Sequence, residues 1–257
     1  GAPEVPVIVY RPTHVQGPLP CYLNIHGGGY VMGVAAVNGP ANVRTAAEIG
    51  CLIVSVDYRL APEHPAPAGV EDCYAALAWI HRNADELGID RNRVAIGGES
   101  AGGGLAAALA LLARDRGDYP ICFQLLIYPM LDDRTAAKES ENPHVGEFVW
   151  NKLSNLFAWR AHLGGEPGAE GVSHYAAPAR ARDLSGLPAT YINVGALDLF
   201  LEEDIDYARR LLRAGVPTEL HIYPGAYHGF NVAPDAKVAQ AADRESREAL
   251  GRALAKK

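Results

Sequence analysis

Gly98-Glu99-Ser100-Ala101-Gly102 sets a serine among small residues, just after the apolar run Arg93–Gly97 and just before a long apolar stretch. The pattern reads as strand, sharp turn, helix. Such a turn lifts a serine hydroxyl to the end of a sheet and aims a helix N-terminus at whatever oxygen reacts there. The bland alternative is a glycine-rich turn that packs a helix tightly on a strand. Gly-x-Ser-x-Gly arises by chance about 0.08 times in a chain this rich in glycine, so the motif needs support from elsewhere.

That support is His26-Gly27-Gly28-Gly29, which follows the apolar run Cys21–Ile25. Glycines there let backbone N–H groups approach a ligand oxygen closely, as stabilisation of an oxyanion demands. The expected hole consists of the N–H groups of Gly28, Gly29 and Ala101. A phosphate loop is excluded, because no Gly-Lys-Ser/Thr follows. His26 itself is read as structural, holding the loop.

A hydroxyl at its ordinary pKa is a poor nucleophile, so Ser100 needs a base. With this turn the chain order is serine, acid, histidine. Of the nine histidines, only His221 and His228 follow the acid candidate Asp198. His221 lies inside a predicted strand, whereas His228 lies in Gly225-Ala226-Tyr227-His228-Gly229-Phe230, a loop just past that strand. The acid expected is Asp198, after the run Tyr191–Gly195; Asp132 and Asp133, after Tyr128-Pro129, compete for the role. Catalytic Ser100, Asp198 and His228 are therefore the expected set, the acid fixing the imidazole tautomer.

The elements that must position these groups follow from periodicity. Strands are predicted at Val5–Tyr10, Cys21–Ile25, Leu52–Val56, Val94–Ile96, Phe123–Tyr128, Ala189–Val194 and Glu219–Tyr223. Helices are predicted at Asn42–Ile49, Ala68–Leu87, Ala101–Arg114, Glu202–Ala214 and Ala236–Ala255. Continuous apolar strands point to burial on both sheet faces, and strand–helix alternation to a mostly parallel sheet flanked by helices. The expected class is α/β, with the whole of 1–257 as one domain. About 60 residues separate the Phe123 strand from the Ala189 strand, too many for a simple connection. A cap insertion is expected at 134–178, with a helix over Glu147–Leu163. On that helix Phe148, Val149, Trp150, Leu153, Leu156, Phe157, Trp159 and Leu163 cover an arc of about 200°, wider than one neighbour requires. Phe148, Trp150, Phe157 and Trp159 are the candidates for a substrate pocket beneath it.

Composition narrows the remaining classes. The chain has 257 residues, 49% hydrophobic and 21% charged, with net charge −7. That composition suits a globular core. Without a dense Lys/Arg run, nucleic acid is not an expected partner. No run approaches the roughly 20 apolar residues of a membrane span. Cys21, Cys51, Cys73 and Cys122 sit in apolar segments without metal spacing, and read as buried thiols of a reducing, cytoplasmic compartment.

With these features placed, nearly the whole chain resembles the hormone-sensitive-lipase-like family of α/β-hydrolases. Asp57-Tyr58-Arg59-Leu60-Ala61-Pro62-Glu63-His64, Ser185-Gly186-Leu187-Pro188 and His228-Gly229-Phe230 extend the likeness beyond the two glycine motifs. Among bacterial members it looks most like carboxylesterases of the heroin-esterase type. The resemblance implies an eight-stranded sheet, a helical cap, and hydrolysis of short to medium acyl esters without a cofactor or metal. It departs from the family pattern in three places. Glu99 stands where Asp is usual. Asp198-Leu199-Phe200-Leu201-Glu202 lacks the usual arginine beside the acid. The family's N-terminal cap helices are absent from this stretch. A small-molecule ester is the expected partner, and a homodimer is compatible with the sequence. Two rivals remain: a binding module on the same scaffold, which the presence of His228 disfavours, and a peptidase or amidase.

Overall fold

The computed structural model describes residues 4–137 and 142–255. Seven strands form one sheet in the order β1-β3-β2-β4-β5-β6-β7. They are β1 (Val7–Tyr10), β2 (Leu19–Ile25), β3 (Leu52–Val56), β4 (Ile89–Glu99), β5 (Phe123–Ile127), β6 (Ala189–Gly195) and β7 (Thr218–Tyr223). Only the β1–β3 pairing is antiparallel. The helices are α1 (Gly39–Ile49), α2 (Ala68–Arg82), α3 (Ala84–Leu87), α4 (Ala101–Arg116), α5 (Arg134–Ala137), α6 (Lys152–Leu163), α7 (Leu201–Arg213) and α8 (Lys237–Leu254).

The α/β class and the mostly parallel sheet are as expected. Every residue of β2 and β3 is buried, which is why their sequences run apolar without alternation. Residues 101–113 of α4 are buried on all sides, as an apolar circumference requires. Because six strands are parallel, the loops after β2, β4, β6 and β7 all emerge at one end of the sheet. Loops at the carboxyl ends of parallel strands are where such sheets place their sites.

Several boundaries differ from the sequence expectation for physical reasons. The described residues form seven strands, not the eight the resemblance implied. The first strand starts at Val7, because Pro6 has no N–H for the ladder. The helix predicted over Ala68–Leu87 divides at Asn83, which leaves helical geometry while its side chain donates to Trp79 O at 2.8 Å. The four cysteines are free thiols, and Cys122 is half-buried where burial was expected.

The largest correction falls on the segment 147–163. Its helix begins only at Lys152, capped by Asn151, whose side chain accepts from Ser154 N at 3.0 Å. Upstream, Val149 has a φ of +60° and Trp150 N donates back to Phe148 O at 2.7 Å. Phe148, Val149 and Trp150 therefore do not lie on the helix, and the 200° arc does not exist. What remains of it splits in two. Trp159 is fully buried, while Leu153 and Phe157 are 78% and 63% exposed. The expected cap range 134–178 contains α5 and α6; its residues 138–141 lie outside the described residues.

Helix α6 anchors to the body through His162, buried and stacked on Tyr30 with ring centres 3.9 Å apart. Burial lowers the His162 pKa from 6.5 to about 4, opposed by its hydrogen bond to Ala176 O. The unfolded chain therefore binds a proton below about pH 6.5 that the folded chain refuses until about pH 4. Stability from this group is full above pH 6.5 and is lost as pH falls towards 4. Urea unfolding from pH 7 to 4.5 should show a steeper loss in the native protein than in His162→Gln, which keeps the hydrogen bond without the titration. Equal slopes would show that His162 does not titrate in this way.

Candidate active site

The site begins with a strained backbone. Ser100 joins β4 to α4 with φ 56° and ψ −121°, a region that non-glycine residues rarely occupy. Three hydrogen bonds hold it there. Its N–H donates to Ile127 O of β5 at 2.9 Å, and its carbonyl accepts from Met130 N at 2.9 Å and Gly104 N at 3.0 Å. The flanking glycines are required by contact with backbone. A Cβ on Gly98 would lie 2.2 Å from Ile25 O, and one on Gly102 would lie 2.1 Å from the same oxygen. Strand β2 and helix α4 thus approach too closely for any side chain.

Ser100, His228 and Asp198 lie in one hydrogen-bonded line. His228 Nε2 is 2.8 Å from Ser100 Oγ, and His228 Nδ1 is 2.8 Å from Asp198 Oδ2. When Nδ1–H donates to the carboxylate, the Nε2 lone pair is left to accept the serine hydroxyl. All three side chains are buried. The other carboxylate oxygen of Asp198, Oδ1, accepts from Phe200 N at 3.0 Å, which does some of the work of the missing arginine. The imidazole is held between Phe200, 5.0 Å away and perpendicular, and Tyr128, 4.9 Å away.

The competing acids are committed elsewhere. Asp133 is fully buried against Arg180, with contacts of 2.7 Å. Asp132 pairs with Arg134 at 2.7 Å. His221 is held between Glu219 and Glu245, away from this line. Asp204 is fully buried, and neither of its oxygens has a hydrogen-bond partner among the described residues. Burial first, then the charges of Glu203 and Asp198, push its pKa well above the usual carboxylate range. Desolvation at such a position disfavours the charged form of the carboxyl.

Glu99, in the position before the serine, accepts from Asn231 Nδ2 at 3.1 Å. Burial raises its pKa, and the hydrogen bonds from Asn231 and Tyr128 oppose the rise. Its contact with Asn231 ties the β4 turn to the loop that carries His228.

The glycine loop after β2 stands beside this turn because β2 and β4 are neighbours in the sheet. Gly28 and Gly29 have φ of +121° and +60°, and their amides donate to no backbone carbonyl among the described residues. Ala101 contributes a free first-turn N–H of α4. His26 is buried beneath the loop, its Nδ1 2.8 Å from Gly27 O, and it stacks on Tyr58 at 4.2 Å. Tyr58 Oη donates to His26 O at 2.9 Å. Tyr58 braces the glycine loop, a role that the sequence analysis did not assign to it although the Asp57–His64 run carries part of the resemblance. The motif was the available signal. Asp57 also belongs to the brace, accepting from Ala35 N at 2.8 Å.

Of the four expected pocket residues, the structure brings only Trp150 to the site. Its ring lies against Gly29 and 6.1 Å from His228. Phe148 is half-exposed and contacts Tyr227 at 5.9 Å. Phe157 points to solvent, and Trp159 is sealed in the core between Tyr30 and His162. Their placement on one helical arc failed once the helix started five residues late.

Residues 22–232 match the family described as having the alpha/beta hydrolase fold. Carboxylesterase NlhH of Mycobacterium tuberculosis is 38% identical over 260 residues, covering 99% of this chain and 80% of its own length. Among solved structures, a bacterial heroin esterase superposes with a TM-score of 0.95 at 44% identity, over 100% of this chain and 81% of that one. Esterase LipW from Mycobacterium marinum superposes with a TM-score of 0.87 at 39% identity, over 98% and 78%.

The packing at Gly102 gives a direct test of the turn. Gly102→Ala should destabilise the protein by about 1–3 kcal/mol, because the methyl group meets main chain that has no room to move. Denaturant unfolding measures this, and an unchanged midpoint would contradict the close approach.

Proposed function

The chain belongs to the α/β-hydrolase family, of the hormone-sensitive-lipase-like kind, and we propose that within it this protein is a serine carboxylesterase. The observation that carries the reading is the unbroken line from Ser100 Oγ through the His228 ring to the Asp198 carboxylate. The esterase names of its relatives support the same class.

In this reaction Ser100 Oγ attacks the ester carbonyl carbon as its proton passes to His228 Nε2. The carbonyl π pair moves onto oxygen, where the amides of Gly28, Gly29 and Ala101 stabilise it. The intermediate collapses, the carbon–oxygen bond to the alcohol breaks, and His228 returns its proton to the departing alkoxide. Water then attacks the acyl carbon as it loses a proton to His228; the bond from that carbon to Ser100 Oγ breaks, His228 returns the proton to Oγ, and the acid leaves. Asp198 keeps the Nδ1 proton in place and stabilises the imidazolium between transfers. Residues 134–178 act as the cap insertion of a single domain. The expected substrates are short to medium acyl esters, in keeping with the family likeness. The free thiols suit a cytoplasmic setting. Among the described residues, no helix is long and apolar enough to cross a membrane.

Ser100→Ala should remove almost all hydrolysis of p-nitrophenyl acetate while leaving the thermal midpoint near that of the native protein. Retained turnover would end this reading. Asp198→Asn should lower kcat by about 10⁴-fold, because it favours the wrong imidazole tautomer. Asp132→Asn should leave kcat within a few-fold. A reversal of these two effects would move the acid to Asp132.

A further inference from the structure

The segment just before α6 is built to fix one side chain. Val149 adopts φ +60°, an outlying conformation for a β-branched residue. The 2.7 Å bond from Trp150 N to Phe148 O closes a γ-turn of the rare positive-φ type around it. Backbone strain persists where surrounding contacts over-determine it, and it collects at ligand clamps. Here the contacts come from both sides. Trp150 Nε1 donates to Oδ1 of buried Asn155 at 3.1 Å. A Cβ on Gly229, beside His228, would lie 3.9 Å from Val149 Cγ1. The result is a fixed indole whose Cη2 lies 2.4 Å from where a Cβ on Gly29 would stand, with its ring centre 6.1 Å from His228.

That position identifies a subsite. The tetrahedral carbon formed on Ser100 carries four groups: Oγ, the oxyanion, the leaving oxygen and the acyl chain. The oxyanion faces the amides of Gly28, Gly29 and Ala101. The leaving oxygen must lie within proton-transfer reach of His228 Nε2. An indole that touches Gly29 and stands beside His228 borders the edge joining these two oxygens. The acyl chain takes the corner away from that edge. The adjoining exposed side chains, Met32 next to Gly28 and Phe148 against Tyr227, are apolar.

On the esterase reading above, we propose that Trp150 forms the wall of the alcohol subsite and selects esters of planar aromatic alcohols. An aryl leaving group stacks on the indole while its oxygen faces His228. An alkyl leaving group gains less there, because it has no ring to offer.

Acetate esters all form the same acyl-enzyme, so differences in their kcat/KM read the alcohol alone. Trp150→Ala should lower kcat/KM for phenyl and 2-naphthyl acetate about tenfold more than for n-butyl acetate, mainly through KM. Trp150→Phe should restore most of that loss. The relative rates on p-nitrophenyl acetate, butyrate and hexanoate should stay in their native proportions. Should the acyl-length profile shift while the aryl-to-alkyl ratio stays fixed, Trp150 walls the acyl side and the proposal falls. Equal loss on every ester, repeated in Trp150→Leu with a native circular dichroism spectrum, would leave only a structural role and also overturn it. A native protein inert towards all esters would end the esterase reading and this one together. An active native protein with an unmoved ratio would end this one alone.

Discussion

The conformation of Ser100 is the constraint on which the rest of the structure depends. A residue at φ 56° between a strand and a helix is held only because β2, β4 and α4 pack backbone to backbone around it. Glycines 98 and 102 permit that approach; the Ser100 N–H donating to Ile127 O, and its carbonyl accepting from Met130 N and Gly104 N, fix it. The bend places Oγ 2.8 Å from His228 Nε2 and puts the Ala101 N–H in the first turn of α4, where it has no intrahelical acceptor. It also brings the glycine loop of β2 alongside, since β2 and β4 share a ladder. The positions of the proposed nucleophile and of the proposed oxyanion donors thus follow from one packing arrangement.

The second half of the site comes from the far side of the sheet and needs its own bracing. Asp198 follows β6 and His228 follows β7, the two strands furthest from β1. Phe200 N holds the carboxylate, Phe200 and Tyr128 hold the ring, and Asn231 links the His228 loop to Glu99 beside the nucleophile. On the oxyanion side, His26 and Tyr58 form a stacked, hydrogen-bonded pier under Gly27–Gly29. Asp198, His228 and the glycine loop are therefore each held by neighbouring backbone and aromatic groups.

The parts legible in the sequence were those whose chemistry is local. Glycine flanking a serine, a glycine run after a strand, and a histidine in a loop past the last strand each need only a few adjacent residues. Apolar runs marked β2, β3 and α4 for the same reason: burial on every side leaves few polar residues. The contacts between distant segments were not legible. No periodicity shows that Tyr58 stacks on His26, or that Asp133 is spoken for by Arg180. The cap segment misled because apolar residues at helical spacing continue upstream of the true helix start. The Asn151 cap and the positive φ of Val149 end the pattern there. Asn151 is a readable helix-start signal, which the wide apolar stretch obscures.

The account stands or falls on one hydroxyl being more reactive than every other in the chain. Its most direct test is reaction with a fluorophosphonate, followed by peptide mass spectrometry to locate the adduct. A single phosphonyl group on Ser100, with none on the Asp198→Asn protein over the same interval, is the expected result. A native protein that stays unmodified, or that carries the group on a different residue, would contradict it.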